Sequence, residues 1–226
     1  MFPANPDHPR DEINTAWAWG HGDPETEQLS GYGETIRHLL TVLERYGPFI
    51  GIKGFSTGAA LAAVLSSMLE KRETYCEVPF QVRQMHWFLL RIFSLLADNN
   101  PPFGFAVCFS GFRFEHEVYD PIYSQRIETP ILHVVSNLDT MIEPAMTKRL
   151  AGSCGSASIY QFSGGHHIPR SADSVRTLRE FVKQALSGRI GDSGSGSEDE
   201  IYKTIEYCLS FAFRSWTADI LSKVIL

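Results

Sequence analysis

Cysteine is scarce and unpatterned in this chain. Cys76, Cys108, Cys154 and Cys208 are the four in 226 residues, widely separated and without a C-x-x-C pair. Neither a disulfide framework nor a paired-cysteine metal site is therefore expected. Basic blocks are also missing. Lys and Arg number 20 against 26 Asp and Glu, for a net charge of -6. With no row of cations to neutralise phosphates, nucleic acid is not an expected partner. The opening "MFPANPDHPRDE" has no apolar signal segment, so the default compartment is a reducing cytoplasm. A long uncharged apolar run is absent too. The most apolar-looking tail, "IYKTIEYCLSFAFRSWTADILSKVIL", carries Lys203, Glu206, Arg214, Asp219 and Lys223, which argues against a transmembrane span. No H-E-x-x-H or comparable ligand spacing occurs, and the reading calls for no metal and no cofactor.

What is present is a core-forming composition, 43% hydrophobic and 12% aromatic, enough for one substantial domain. After about 30 loop-like residues, Ile36, Leu39, Leu40 and Leu43 recur at helical spacing, predicting a helix from Tyr32 to Tyr46. Gly47 is expected to cap it in a left-handed conformation before Pro48. "FIGIKGF", "GFAVCFSGF", "PILHVVSNLD" and "SASIYQFSGG" are short apolar runs flanked by Gly, Pro, Asn or Asp, and read as buried strands. Helices are expected at Ala59 to Glu70, near Ala145 to Ala151, and at Ala172 to Leu186. Strand and helix thus alternate, which predicts an α/β fold: a mostly parallel sheet with helices on both faces. The expected organisation is a domain over 1–187 with a helical insertion at about 72–100, a linker over 188–200, and an amphipathic helix over 201–226.

One motif carries chemistry. "GFSTG" places Ser56 in a G-x-S-x-G pattern between a predicted strand and the helix of "AALAAVLSSMLE". A strand, a tight turn and a helix are what a serine nucleophile elbow requires, and the glycines allow strand and helix to cross closely. An N-cap explains a hydroxyl before a helix, but not two flanking glycines after a buried strand. The backbone N–H of Thr57 would then be an oxyanion donor. A serine needs a base and an orienting acid, following in the order Ser, Asp, His. Asp139 stands just after "ILHVV", and "FSGGHHIP" offers His166 and His167 after the last predicted strand. The residues alone leave the two histidines open. Trp87, Phe88 and Phe112 are suggested by composition as lining for an apolar acyl site.

Several segments together resemble the fungal serine hydrolases of the FSH type, within the α/β-hydrolase fold. "AWAW", "YGPFIGIKGFSTGAALAA", "FAVCFSGFR", "TPILHVVSNLDTMIEP" and "GGHHIPRSADSVRTLREF" stand in that family's order and approximate spacing over about residues 1 to 187. The resemblance implies Ser56 as nucleophile, Asp139 as acid, and His166, directly after the paired glycines, as base. It also implies an ester or thioester substrate, with acyl or polyketide chain release from an acyl carrier protein in fungal secondary metabolite biosynthesis among the expected roles. The family's initial strand and "LHG"-like loop have no counterpart here, so the domain is expected to be truncated at the N-terminus. The loop normally supplies a second oxyanion donor, whose loss costs about 10²- to 10³-fold in turnover, and the "FIGIKGF" strand would be left with an open edge. The alternative expectation is a non-catalytic remnant that binds an acyl ligand or a protein.

Overall fold

The computed structural model describes residues 2–3, 17–22, 30–72, 101–193 and 224–225. Its elements in chain order are β1 (Phe2–Pro3), β2 (Trp17–Ala18), α1 (Tyr32–Tyr46), β3 (Gly51–Phe55), α2 (Thr57–Glu70) and β4 (Phe105–Phe109). After a short 3₁₀ turn come α3 (Asp120–Tyr123), β5 (Ile131–Ser136), α4 (Pro144–Gly152), β6 (Ala157–Phe162), α5 (Ala172–Ser193) and β7 (Val224–Ile225). β1 and β2 pair antiparallel. The remaining strands form one sheet in the order β6-β5-β4-β3-β7, and every pairing within it is parallel. The expected α/β architecture is present.

Alternation along the strands decides what each face buries. On β4 and β5, Phe105, Val107, Phe109, Leu132 and Val134 pack against Leu178, Phe181, Val182 and Leu186 of α5. Ala106, Cys108 and Ile131 point the other way, into a core shared with α1, α2 and Leu150 of α4. The small residues Ala59, Ala60, Ala62 and Ala63 make α2 buried nearly all round, because without long side chains it can lie close to the sheet. Leu61, Leu65 and Met68 fill the remaining space and are fully buried, each such burial being worth about 1.5–3 kcal/mol.

Several expectations need correction. Gly47 leaves α1 extended, at φ -69 and ψ -177, rather than left-handed, because a residue before proline is pushed towards the β region. β6 is not buried: most of it is exposed, since it forms the sheet's outer edge. The edge of β3 is not open along its whole length either. Gly51 and Ile52 pair with Val224 and Ile225, which satisfies backbone groups that would otherwise lack partners. This pair is a strand where a helix was expected, and the linker expected over 188–200 begins as helix, because α5 continues to Ser193; the rest of that linker, the rest of the predicted tail helix and the insertion at 73–100 lie outside the described residues. Among the described residues, no helix is long and apolar enough to cross a membrane.

Candidate active site

Parallel strands aim all their C-terminal ends at one rim, and this is where open α/β sheets place their ligands. Ser56 follows β3, Ser110 follows β4, Asp139 follows β5 and His166 follows β6. Hydrogen bonds between neighbouring segments carry the sheet's order into the rim. Ser56 N–H donates to Phe109 O at 2.8 Å, Ser110 N–H to Val134 O at 2.9 Å and Asn137 N–H to Phe162 O at 2.9 Å.

Ser56 stands in a sharp corner, at φ 55 and ψ -122, between β3 and α2. A residue with a β-carbon adopts that backbone only when its surroundings impose it. The imposing contact is visible at Gly54, where an added β-carbon would lie 2.2 Å from Gly58 O and 2.3 Å from Gly58 C. Strand and helix backbones therefore touch, and only glycine permits it. Ser56 O accepts the N–H groups of Ala59 and Ala60. The N–H groups of Thr57 and Gly58, in the first turn of α2, have no carbonyl one turn earlier within the helix, and the positive end of the helix faces the rim.

Asp139 and His166 meet. His166 Nδ1 lies 2.8 Å from Asp139 Oδ2, with the carboxylate side chain 1% exposed and the imidazole 14%. The second oxygen, Oδ1, accepts the N–H of Met141 at 3.0 Å and of Ile142 at 2.9 Å. Burial pushes the Asp139 carboxyl up, but hydrogen bonds from His166 and from the Ile142 and Met141 N–H groups outweigh it. The net effect holds the group below its ordinary value of 3.8. The imidazole ring lies over Phe55, centroids 4.5 Å apart, which brings it beside the residue that precedes Ser56. No hydrogen bond joins Ser56 Oγ to His166 among the described residues; in ligand-free sites such bonds are commonly long and tighten on substrate binding.

His167 goes elsewhere, packing edge-on against Phe162. Phe112, suggested as acyl-site lining, is instead a core residue, 2% exposed and packed edge-on against Phe114. Trp87 and Phe88 lie outside the described residues. One contact had no signal in the sequence: the Ser136 hydroxyl donates to Gly164 O, tying the end of β5 to the histidine loop.

A family model described as Serine hydrolase (FSH1) matches residues 3–178. The chain belongs to this family. Family of serine hydrolases 2 from Saccharomyces cerevisiae is 33% identical over 182 residues, covering 79% of this chain and 73% of the yeast protein. Esterase OVCA2 from Xenopus tropicalis is 27% identical over 163 residues, covering 72% of this chain; the chain spans 60% of that relative's length. Among solved structures, acyl-protein thioesterase 2 from Zea mays overlays with a TM-score of 0.47 at 15% identity, covering 76% of this chain and 73% of its own. Membership makes this chain a serine hydrolase of the FSH1 family.

Proposed function

We propose that this FSH1-family chain cleaves a carboxylic ester or thioester through an acyl-enzyme intermediate, with Ser56, His166 and Asp139 as its triad. The 2.8 Å bond between His166 Nδ1 and Asp139 Oδ2, on the rim where Ser56 occupies its strained corner, is the observation that carries this reading. Asp139 accepts a hydrogen bond from Nδ1–H and so leaves the lone pair on Nε2. His166 Nε2 takes the proton of Ser56 Oγ as that oxygen bonds to the carbonyl carbon. The resulting oxyanion is met by the Thr57 N–H and the positive end of α2. The imidazolium then gives its proton to the departing alcohol or thiol as the carbon–heteroatom bond breaks. Water, deprotonated by His166, repeats the sequence on the acyl-serine and frees the acid.

The route draws only on side chains and backbone and calls on no cofactor. A carrier-bound acyl or polyketide thioester is the substrate the family resemblance favours, with an acyl carrier protein as its partner and a reducing cytoplasm as its setting. Free thiols at Cys108 and Cys154, both buried, suit that compartment. Purified protein should hydrolyse acyl thioesters of a panel graded by chain length, and Ser56→Ala should lower kcat by at least about 10³-fold. A Ser56→Ala variant that retains wild-type turnover would remove the triad, and a folded wild type inert on the whole panel would favour an acyl-binding module instead.

A further inference from the structure

The loop that carries His166 has little side chain of its own to pack. Gly164 and Gly165 precede the histidine, and a β-carbon added at Gly165 would meet no atom within 4 Å. The loop is tied to the end of β5 through Gly164, whose carbonyl accepts the Ser136 hydroxyl and the Leu138 N–H. Beyond that tie, contacts of the imidazole itself orient it. One is the bond from Nδ1 to Asp139 Oδ2, at 2.8 Å. It fixes one atom of the ring and leaves the plane able to turn, because the χ2 torsion of histidine has only broad minima of its own. What lies against the ring face therefore decides where Nε2 points.

Phe55 lies against that face. Its ring centroid is 4.5 Å from that of the imidazole, with the two planes tilted by 37°. Unlike the loop, Phe55 belongs to a fixed part of the molecule. It ends β3, in register with Phe109 of β4, and packs against the buried cluster that α5 forms with β4 and β5. The residue after it is the strained corner at Ser56, whose N–H donates to Phe109 O. G-x-S-x-G leaves the position before the serine open, so the motif does not account for a phenyl ring there. The stack on His166 does.

We propose that Phe55 is a positioning residue of the site: its ring sets the plane of His166 so that Nε2 is turned towards Ser56. Nucleophile and base are then both placed from the end of one rigid strand, with Asp139 holding the opposite edge of the imidazole. The proposal rests on the triad reading and adds to it a residue that acts through the histidine. The same ring face favours the positive charge that the imidazole gains on taking the serine proton, because an aromatic face attracts cations.

The test separates an aromatic face from mere apolar bulk. Phe55→Leu keeps an apolar side chain and removes the face; Phe55→Tyr keeps the face. Two readouts are needed: the rate at which a fluorophosphonate labels Ser56, with and without His166→Ala, and the imidazole C–H proton resonances of His166, assigned by their loss in His166→Gln. In wild type those resonances should lie upfield of an unstacked histidine's, because protons over an aromatic ring are shielded. The Leu variant should lose that shift and label about 10- to 100-fold more slowly, the scale for a reacting group displaced by about 1 Å. The Tyr variant should stay close to wild type in both readouts. In the His166→Ala background, Phe55→Leu should leave the residual labelling rate unchanged, since the effects of residues that act through one another do not add. A folded Leu variant with the wild-type rate, or one that slows labelling equally with and without His166, would overturn the proposal. So would unshifted His166 resonances in wild type, a result that does not depend on any variant folding. If wild-type labelling does not require His166, the triad reading fails, and the His166 resonances alone decide whether Phe55 sets its plane.

Discussion

At the end of β3, Ser56 is fixed by backbone: its corner follows from Gly54 lying against Gly58 and from the Ser56 and Phe109 main chains bonding across the sheet. At the ends of β5 and β6, Asp139 and His166 are fixed by hydrogen bonds in which side chains take part. The two corners thus fail differently. The first is steric and indifferent to pH, while the second depends on a charge that acid removes. With the proposed triad, the nucleophile should be lost only with part of the fold, whereas the general base should be lost with the fold intact.

The harshest way to break this contrast is Gly54→Ala. Its β-carbon would enter the space of Gly58 O at 2.2 Å, where backbone rather than a flexible side chain must move. We expect a loss of about 4 kcal/mol or more, seen as a collapse in the denaturant midpoint at every pH. An alanine variant within about 1 kcal/mol of wild type would show that the corner has slack.

Asp139→Asn strikes the other corner and should spare the fold. Turnover should drop by about 10³- to 10⁴-fold, since an amide can donate to Nδ1 and fix the wrong tautomer. Because the folded pKa of Asp139 lies below its ordinary 3.8, ionisation contributes stability that is complete above about pH 4 and lost as pH falls through the folded value. The stability gap between wild type and Asp139→Asn should be open at about pH 7 and close in stronger acid. A gap unchanged from about pH 7 to about pH 2 would show that charge does not hold this corner.

His133 sharpens the comparison from inside the same strand that leads to the acid. It is fully buried, its Nδ1 has no hydrogen-bond partner among the described residues, and burial holds the imidazole down to about 4. The unfolded chain takes up a proton near 6.5 that the folded chain refuses, so stability is full above about pH 6.5 and falls by about 3 kcal/mol towards about pH 4. His133→Leu should flatten that slope while leaving kcat at about pH 8 within about 2-fold. Chemical denaturation of both proteins between about pH 4 and about pH 8 checks it, and parallel slopes would show that burial of His133 is not the cause.

The contrast also explains how much of the molecule was legible in its residues. The apolar runs "IKGF", "AVCF" and "LHVV" sit between turn residues, so β3, β4 and β5 and their order could be read, as could the elbow at Ser56. Asp139 was legible from its place after a strand. The exposure of β6 was not, because "SASIYQF" has the pattern of an interior strand and only the sheet order makes it an edge. "GGHH" leaves two histidines open to spacing alone, and the partners that separate them, Asp139 for His166 and Phe162 for His167, lie 27 residues away in one case and across a tertiary contact in the other. The left-handed backbone of Ser110 had no signal at all, since a serine before glycine is ordinary.

The most direct test of the central claim is to treat wild type, Ser56→Ala and His166→Ala with a fluorophosphonate and map the adduct by mass spectrometry. The triad predicts one adduct, on Ser56, formed rapidly in wild type, absent in Ser56→Ala and slowed by at least about 10³-fold in His166→Ala. A folded wild type that stays unlabelled, or an adduct on Ser56 that forms equally fast without His166, would contradict it.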